Sequence, residues 1–456
     1  MRIVIIGGGV VGYSLAEHLL KEKHELSLVE IDRSLCDSLS QKLDLQIVCG
    51  SGSSPAMLRE AGIRSADLLL AVTPNDEVNI VACALAAQHD VAGRIARLRS
   101  ADYEEGGEGL VDLKRMGITA VIHPEKALVD HILQFVATPH AVESANFEHG
   151  RILLRGYVVT DTMPLANKCP REIREEIAPE KVLFPAIVRN HEGMIPDGET
   201  MIRPGDTVYA LMAEESLEVF LKLVGVERQK ARKIIVTGNS YTTLELTAAL
   251  EQTDNKVVLV DPDLEHANRA AERFGRVEVI HGDCTQPDLL QELHTDHASF
   301  FIAVSDEPDY NMLSVLLARA AGAHETIATT VENLQEKVFR SIGIDHVINP
   351  RLTTAREILE LISRGQIGAV VRLSDVDIEA IRFDVDPQSA VANKKLRELA
   401  PRFKKGTIIG AIVREDRMIL PDGETIIHGN DHLIVVTRHA NLAALEKLFR
   451  PRRLLG

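Results

Sequence analysis

Three glycines, an acid and an arginine are the residues whose types and spacing could do chemistry in this 456-residue chain. Gly7, Gly9 and Gly12 form a G-x-G-x-x-G pattern directly after an apolar run, and Glu30 closes the next apolar run. Each part has a physical task in holding a dinucleotide. Gly7 allows a tight turn, Gly9 lets a pyrophosphate approach the backbone, and Gly12 lets a helix pack closely on a strand. The helix that follows presents free N–H groups to the anion. A carboxylate at Glu30 can accept two ribose hydroxyls and would repel a 2′-phosphate, which favours NAD over NADP. Thr73 and Pro74 follow the fourth predicted strand, at the carboxyl edge where ligands lie. Arg97 follows the fifth, where it could meet a phosphate or pair with a surface acid. The alternative is a domain of this shape that holds no ligand. No G-x-x-x-x-G-K-[ST] occurs, which excludes a P-loop ATPase.

The same sentence is written twice. Residues 2–15, RIVIIGGGVVGYSL, reappear as residues 233–246, KIIVTGNSYTTLEL. Gly238 is kept, but Ser240 and Thr243 stand where Gly9 and Gly12 stood. Their side chains would crowd a pyrophosphate lying on the backbone. Asp261 keeps the ribose-binding acid, whereas Thr329 replaces Arg97 and removes the positive charge. The second loop, residues 238–243, is therefore expected to be a weakened, altered or empty site.

The elements that must position these residues alternate. Strands are expected at 2–6, 26–30, 45–49, 67–72, 94–98 and 119–122, with helices near 10–22, 33–43, 55–61 and 76–88. Short buried strands between amphipathic helices imply a doubly wound parallel sheet. Leu28-Val29-Glu30 matches Leu259-Val260-Asp261, and Ile122-His123-Pro124 matches Ile348-Asn349-Pro350, so the second copy has the same architecture. Pro124 and Pro350 suit the first turn of a helix, where a missing N–H costs nothing. Between and after the copies lies a different grammar. Ala186-Ile187-Val188-Arg189 recurs at 411–414, Pro-Asp-Gly-Glu-Thr occurs at 196–200 and 421–425, and each piece is expected to end in a strand after Asp206 or Asp431. Alternating apolar residues with such turns indicate small antiparallel α+β units. The order is A-B-A′-B′: Rossmann-like α/β domains at 1–139 and 230–366, and α+β domains at 140–229 and 367–456.

Much else is excluded. A net charge of −16 without a basic tract argues against nucleic acid and anionic lipid as partners. No apolar run approaches the roughly 18–20 residues that span a bilayer, and with a strand expected from residue 2 no signal peptide is expected. Cys36, Cys49, Cys83, Cys169 and Cys284 form no C-x-x-C pair and are expected to be buried reduced thiols. His294-x-x-His297 with Asp296 is expected to be a polar helix surface and not a metal site, and His281-Gly282-Asp283-Cys284 a turn at a strand end. Asp44 and Asp112 are expected to be solvated. No G-x-S-x-G, H-E-x-x-H or triad is present, so no catalytic residue and no metal ligand is expected.

The A-B-A′-B′ order resembles the tandem RCK (KTN plus RCK-C) architecture of the TrkA family, over essentially the whole chain. The residues that carry the likeness are GGGVVG at 7–12, AVTPNDE at 71–77 with Asn79, RIARLR at 94–99, and AVSDE at 303–307 with Asn311. The resemblance implies a cytosolic regulatory subunit of a bacterial potassium-uptake system, peripheral to the inner membrane. It further implies a homotetrameric ring docked on a TrkH/TrkG-type channel, with NAD(H) and ATP or ADP as regulatory ligands. Carried over, the first site comprises Gly7, Gly8, Gly9, Val10, Val11, Glu30, Thr73, Pro74 and Arg97. The second comprises Asn239, Ser240, Tyr241, Thr242, Thr243, Asp261 and Ser305. The rival expectation is an NAD-dependent oxidoreductase with duplicated Rossmann domains.

Overall fold

Near-continuous apolar runs mark strands buried on both faces of a sheet, and the first such run, β1 (Arg2–Ile6), is buried at every residue but the first. The computed structural model describes all residues except 22–23, 101–102, 104–111, 149, 179–181, 227–231, 331–337, 340, 363–366, 374–375, 416 and 450–456. β1 is joined in parallel by β2 (Glu25–Glu30), β3 (Gln46–Cys49), β4 (Leu68–Ala71), β5 (Gly93–Arg97) and β6 (Ala120–Ile122), in the order β3-β2-β1-β4-β5-β6. Helices α1 (Val10–Lys21), α2 (Arg33–Lys42), α3 (Pro55–Glu60), α4 (Asp76–Ala87) and α5 (Pro124–Ala137) connect and follow them. The strand order reverses between β1 and β4, which opens a crevice at their carboxyl ends. Arg97 is the last residue of β5, not a residue beyond it.

The next stretch forms an antiparallel sheet of β7 (Glu143–Phe147), β8 (Ile152–Val158), β9 (Val182–Arg189), β10 (Glu192–Met194) and β11 (Thr207–Ala213), with α6 (Pro170–Glu176) and α7 (Leu217–Leu223). The parallel architecture then returns as β12 (Lys233–Thr237), β13 (Lys256–Asp261), β14 (Glu278–His281), β15 (Phe300–Ala303), β16 (Glu325–Thr329) and β17 (His346–Ile348). Their order, β14-β13-β12-β15-β16-β17, repeats the first sheet. Helices α8 (Tyr241–Glu251), α9 (Leu264–Arg273), α10 (Pro287–Glu292), α11 (Pro308–Ala320) and α12 (Pro350–Ile362) accompany them. Pro55, Pro124, Pro287 and Pro350 all open helices.

The last stretch carries β18 (Ile367–Arg372), β19 (Ile378–Asp384), β20 (Lys394–Lys395), α13 (Leu396–Leu399), β21 (Thr407–Arg414), β22 (Arg417–Ile419), β23 (Ile426–Ile427), β24 (His432–Arg438) and α14 (Leu442–Phe449). Its main sheet, β18-β19-β24-β21-β22, has the same topology as β7-β8-β11-β9-β10. The repeated Pro-Asp-Gly-Glu-Thr segments are structural: Thr200 and Thr425 donate to Asp197 and Asp422, closing the same turn twice. The repeated arginines act likewise. Arg189 forks onto Asp206, with both contacts at 2.7 Å, and Arg414 forks onto Asp431. These α+β pieces do not end in their last strand, as the sequence suggested. A helix follows each, because Phe220 and Leu221 in α7, and Leu445 and Phe449 in α14, supply apolar faces that close the cores.

The chain divides into two compact units, residues 1–132 with 232–359, and residues 133–231 with 360–456. Each unit thus holds both copies of one kind of domain. Within the second, the two antiparallel sheets share a core, in which Phe147, Leu154 and Tyr209 cluster with Ile378, Ala411 and Ile434. Glu148, at the β7–β8 turn, reaches Arg382 at 3.2 Å and His432 at 3.1 Å across the pair.

Candidate functional site

The first loop is built to stay open. Gly7 has φ of 100°, a conformation that L side chains rarely adopt, and its N–H donates to Val29 O at 2.8 Å. A Cβ on Gly12 would stand 1.9 Å from Gly7 O, so only glycine lets α1 start this close to β1. Gly9 differs: a Cβ there would meet nothing within 4 Å. Packing does not require a glycine at position 9, and the space above it is free for a ligand. Val10 and Val11 open α1, whose first-turn N–H groups have no intrahelical acceptor.

Glu30 closes the far side. Its Oε2 accepts from the Gly8 N–H at 2.6 Å, and its Oε1 from the N–H groups of Ile31 and Asp32 at 2.8 and 2.9 Å. The carboxylate is thereby fixed beside the glycine turn. Thr73 abuts Gly7 from the opposite side, since a Cβ on Gly7 would lie 3.1 Å from the Thr73 methyl.

One side chain that sequence reasoning quoted without a role organises this edge. Asn79 Oδ1 accepts from the Thr73 N–H and hydroxyl at 3.0 and 2.7 Å. Its Nδ2 donates to Thr73 O at 3.0 Å and to Arg97 O at 2.7 Å. The loops after β4 and β5 are thus tied to one residue of α4, and Thr73, Pro74 and Arg97 are held at the same sheet edge. Arg97 Nε is buried and has no hydrogen-bond partner among the described residues. Burial lowers the Arg97 pKa first, and neighbouring Arg99 lowers it further; Glu125 and Asp76 oppose this, and Arg351 adds to it. Arg99 itself is engaged with Glu125 at 2.9 Å. A partly buried guanidinium whose Nε has no partner among the described residues can take up an anion.

The second loop reaches the same place by closing on itself. Ser240 caps α8: its Oγ accepts from the Thr243 N–H at 3.2 Å, while the Ser240 N–H donates to Thr243 Oγ1 at 3.2 Å. Both hydroxyls donate to Val304 O, that of Ser240 at 2.9 Å. Gly238 has φ of 140°, and its missing Cβ makes room for the Thr243 side chain, whose Oγ1 would lie 2.8 Å from it. Ser240 and Thr243 therefore do more than crowd a ligand. The Ser240 hydroxyl takes one first-turn donor of α8, the Thr243 N–H, and both side chains are buried in the loop.

The remaining residues of the second site follow the first in outline. Asn311 repeats Asn79, bonding the Ser305 N–H and hydroxyl at 2.9 and 2.8 Å and Thr329 O at 3.1 Å. Here its Nδ2 also meets Thr329 Oγ1 at 2.9 Å, so a satisfied hydroxyl stands where Arg97 stands in the first half. Asn239, Tyr241 and Thr242 lie on the same loop and helix start. Asp261 is 1% exposed; Oδ1 accepts from the Asp263 N–H at 2.8 Å, and Oδ2 has no hydrogen-bond partner among the described residues. Burial raises its pKa, against the opposing pull of the Asp263 N–H and of His266 at 3.5 Å.

Other candidates resolve without chemistry. His294 and His297 do not share an α-helix: His294, with φ of 44°, leads into a 3-10 turn at Thr295–His297. Among the described residues no group of three or more His, Cys, Asp or Glu could hold a metal ion. Asp112 is exposed, as expected, and pairs with the likewise exposed Arg115 at 3.1 Å. Cys36, Cys83, Cys169 and Cys284 are buried, but Cys49 is exposed, because it ends β3 at the sheet's open edge. No described helix is long and apolar enough to cross a membrane.

Comparison with known proteins follows the same division. A model of the TrkA-N domain matches residues 3–124 and again 234–350, and one of the TrkA-C domain matches residues 380–450. The chain is 29% identical over 454 residues to the Trk system potassium uptake protein TrkA of Azorhizobium caulinodans, covering 99% of each. It is also 29% identical to the protein of that name from Haemophilus influenzae, again over 99% of each. Among solved structures, the GsuK channel bound to NAD superposes with a TM-score of 0.61 at 18% identity, over 98% of this chain and 78% of that one. That likeness is one of fold.

Proposed function

The chain belongs to the TrkA-N domain family, and from that premise we propose that it is the nucleotide-sensing regulatory subunit of a potassium-uptake system. Full-length relatives named for Trk potassium uptake support this over an oxidoreductase. The observation that carries the sensing role is the open cradle of the first half: Gly9 facing free space, Glu30 fixed beside it and Arg97 Nε without a hydrogen-bond partner among the described residues. Its residues suit an adenosine nucleotide, with Glu30 on the ribose, Gly7 to Val11 against the phosphates, Thr73 and Pro74 along the flank, and Arg97 on the outer phosphate. NAD(H), ATP and ADP all share that chemistry. The second half, residues 239–243 with Asp261 and Ser305, acts mainly as a scaffold.

The partner in this proposal is a membrane channel subunit of the TrkH/TrkG type, and the chain works as a homotetramer, peripheral to the inner membrane. Nucleotide shifts the gating equilibrium by its differential affinity for two arrangements of the ring. Moving such an equilibrium from 1:99 to 99:1 takes about 5.5 kcal/mol, or roughly 1.4 kcal/mol from each of four chains. A modest preference per site suffices.

Gly9→Val tests this, because the fold has space for the added atoms while the ligand does not. In the reconstituted complex the variant is expected to lose nucleotide binding and nucleotide-dependent channel opening together. Opening that persists after binding is lost would overturn the proposal. Steady NADH consumption with a metabolite pool would favour the oxidoreductase.

A further inference from the structure

Behind the ribose-binding acid lie two thiols. Cys49 pairs with Glu30 in the β2–β3 ladder, so the two side chains leave the same face of the sheet. α2 covers that face, and Cys36 on α2 sends its Sγ–H to Glu30 O at 3.4 Å. The Gly50 N–H, next to Cys49, donates to that same oxygen at 2.7 Å. One backbone carbonyl therefore gathers both cysteine neighbourhoods, and its residue carries the carboxylate that fixes the glycine turn. Cys36 is buried and Cys49 exposed, so an oxidant can reach one thiol and not the other. The second half has no such pair: the equivalent positions are Ala267 and His281.

We propose that Cys36 and Cys49 form a peroxide-sensitive dithiol whose closure to a disulfide weakens nucleotide binding at Glu30. The Cys49 thiolate attacks one oxygen of a peroxide, the O–O bond breaks, and a sulfenic acid and hydroxide result. Hydroxide takes the proton of Cys36. The Cys36 thiolate then attacks the Cys49 sulfur, the S–S bond forms, and the departing hydroxide is protonated to water. Two thiols are oxidised by two electrons and one peroxide is reduced to two waters. Burial first, and Cys49 alongside it, push the Cys36 thiol up to about 12, so Cys36 stays protonated until Cys49 has reacted. Closure removes the S–H donor from Glu30 O and ties α2 to the end of β3, shifting Glu30 and loosening its hold on the Gly8 N–H.

The weakening rests on the nucleotide reading of the first loop; the disulfide does not. The test treats the full-length protein with stoichiometric hydrogen peroxide, alkylates remaining thiols, maps crosslinked peptides and titrates ADP by calorimetry. Expected are a Cys36–Cys49 crosslink and an affinity loss of about fivefold, the worth of one rearranged hydrogen bond, restored by dithiothreitol. Cys49→Ser should keep its full affinity through the same treatment. Over-oxidation of Cys49 with Cys36 still open to alkylation after unfolding would overturn the proposal, as would a crosslink that leaves affinity unchanged. If the reduced protein bound no ADP, the site assignment would fail and the binding consequence with it, while the peptide map would still decide the dithiol.

Discussion

The two glycine-loop regions share a strand order, an acid at the second strand end and an asparagine that ties two loops, yet one is open and the other shut. In the first, the backbone is bare at Gly9, and α1 begins at Val10 with no side chain capping it from Gly7, Gly8 or Gly9. In the second, Ser240 and Thr243 cap α8 and bond Val304 O with their own hydroxyls. A helix N-terminus can give its N–H groups to a ligand or to its own side chains, and this chain contains both solutions. The difference teaches that one fold can leave this loop bare or fill it with side-chain hydroxyls. In the second loop the Ser240 hydroxyl takes one of the helix donors, the Thr243 N–H, itself.

The sharpest way to break this contrast is at Gly12. A Cβ there overlaps Gly7 O, so Gly12→Val should cost about 2–3 kcal/mol of stability and abolish nucleotide binding, read by thermal denaturation and calorimetry. Next comes Arg97→Ala. Loss of a charged hydrogen bond to phosphate is worth about 1.5–3 kcal/mol, so nucleotide affinity should fall roughly 10- to 100-fold with the melting temperature unchanged. Thr329→Ala, the same position in the second half, should leave affinity where it was.

Ser240→Ala probes the closed loop. Removing the cap should cost about 1 kcal/mol and leave first-site binding intact, whereas Gly9→Val should remove binding at little cost in stability. The smallest effect is expected at Asp261. Burial raises its folded pKa above the ordinary 3.8, so the folded state penalises the charged carboxylate. Its contribution to stability is most favourable below pH 3.8 and is lost as pH rises through the raised folded value. Asp261→Asn should therefore melt slightly higher than the parent at pH 7, with the gain vanishing toward pH 4.

How much of this was legible in the sequence follows from the range of each interaction. The glycine pattern, Glu30, the duplicated sheets and the helix-opening prolines are local signals with fixed spacing. That Ser240 and Thr243 would obstruct a pyrophosphate was also legible, but their reciprocal cap and shared acceptor, Val304 O, were not. That carbonyl lies just past the end of β15, 64 residues from Ser240. Asn79 was visible only as part of a motif, because its role depends on Arg97 O lying beside Thr73 across the sheet. The exposure of Cys49 required the β2–β3 register. The Arg189–Asp206 and Arg414–Asp431 forks likewise span a loop that sequence alone does not close.

Calorimetric titration of ADP into the purified protein tests the central claim most directly, with Gly9→Val as its partner. One nucleotide per chain is predicted, and none for Gly9→Val. Two nucleotides per chain, or one that survives the substitution, would contradict the division into an open first loop and a closed second one.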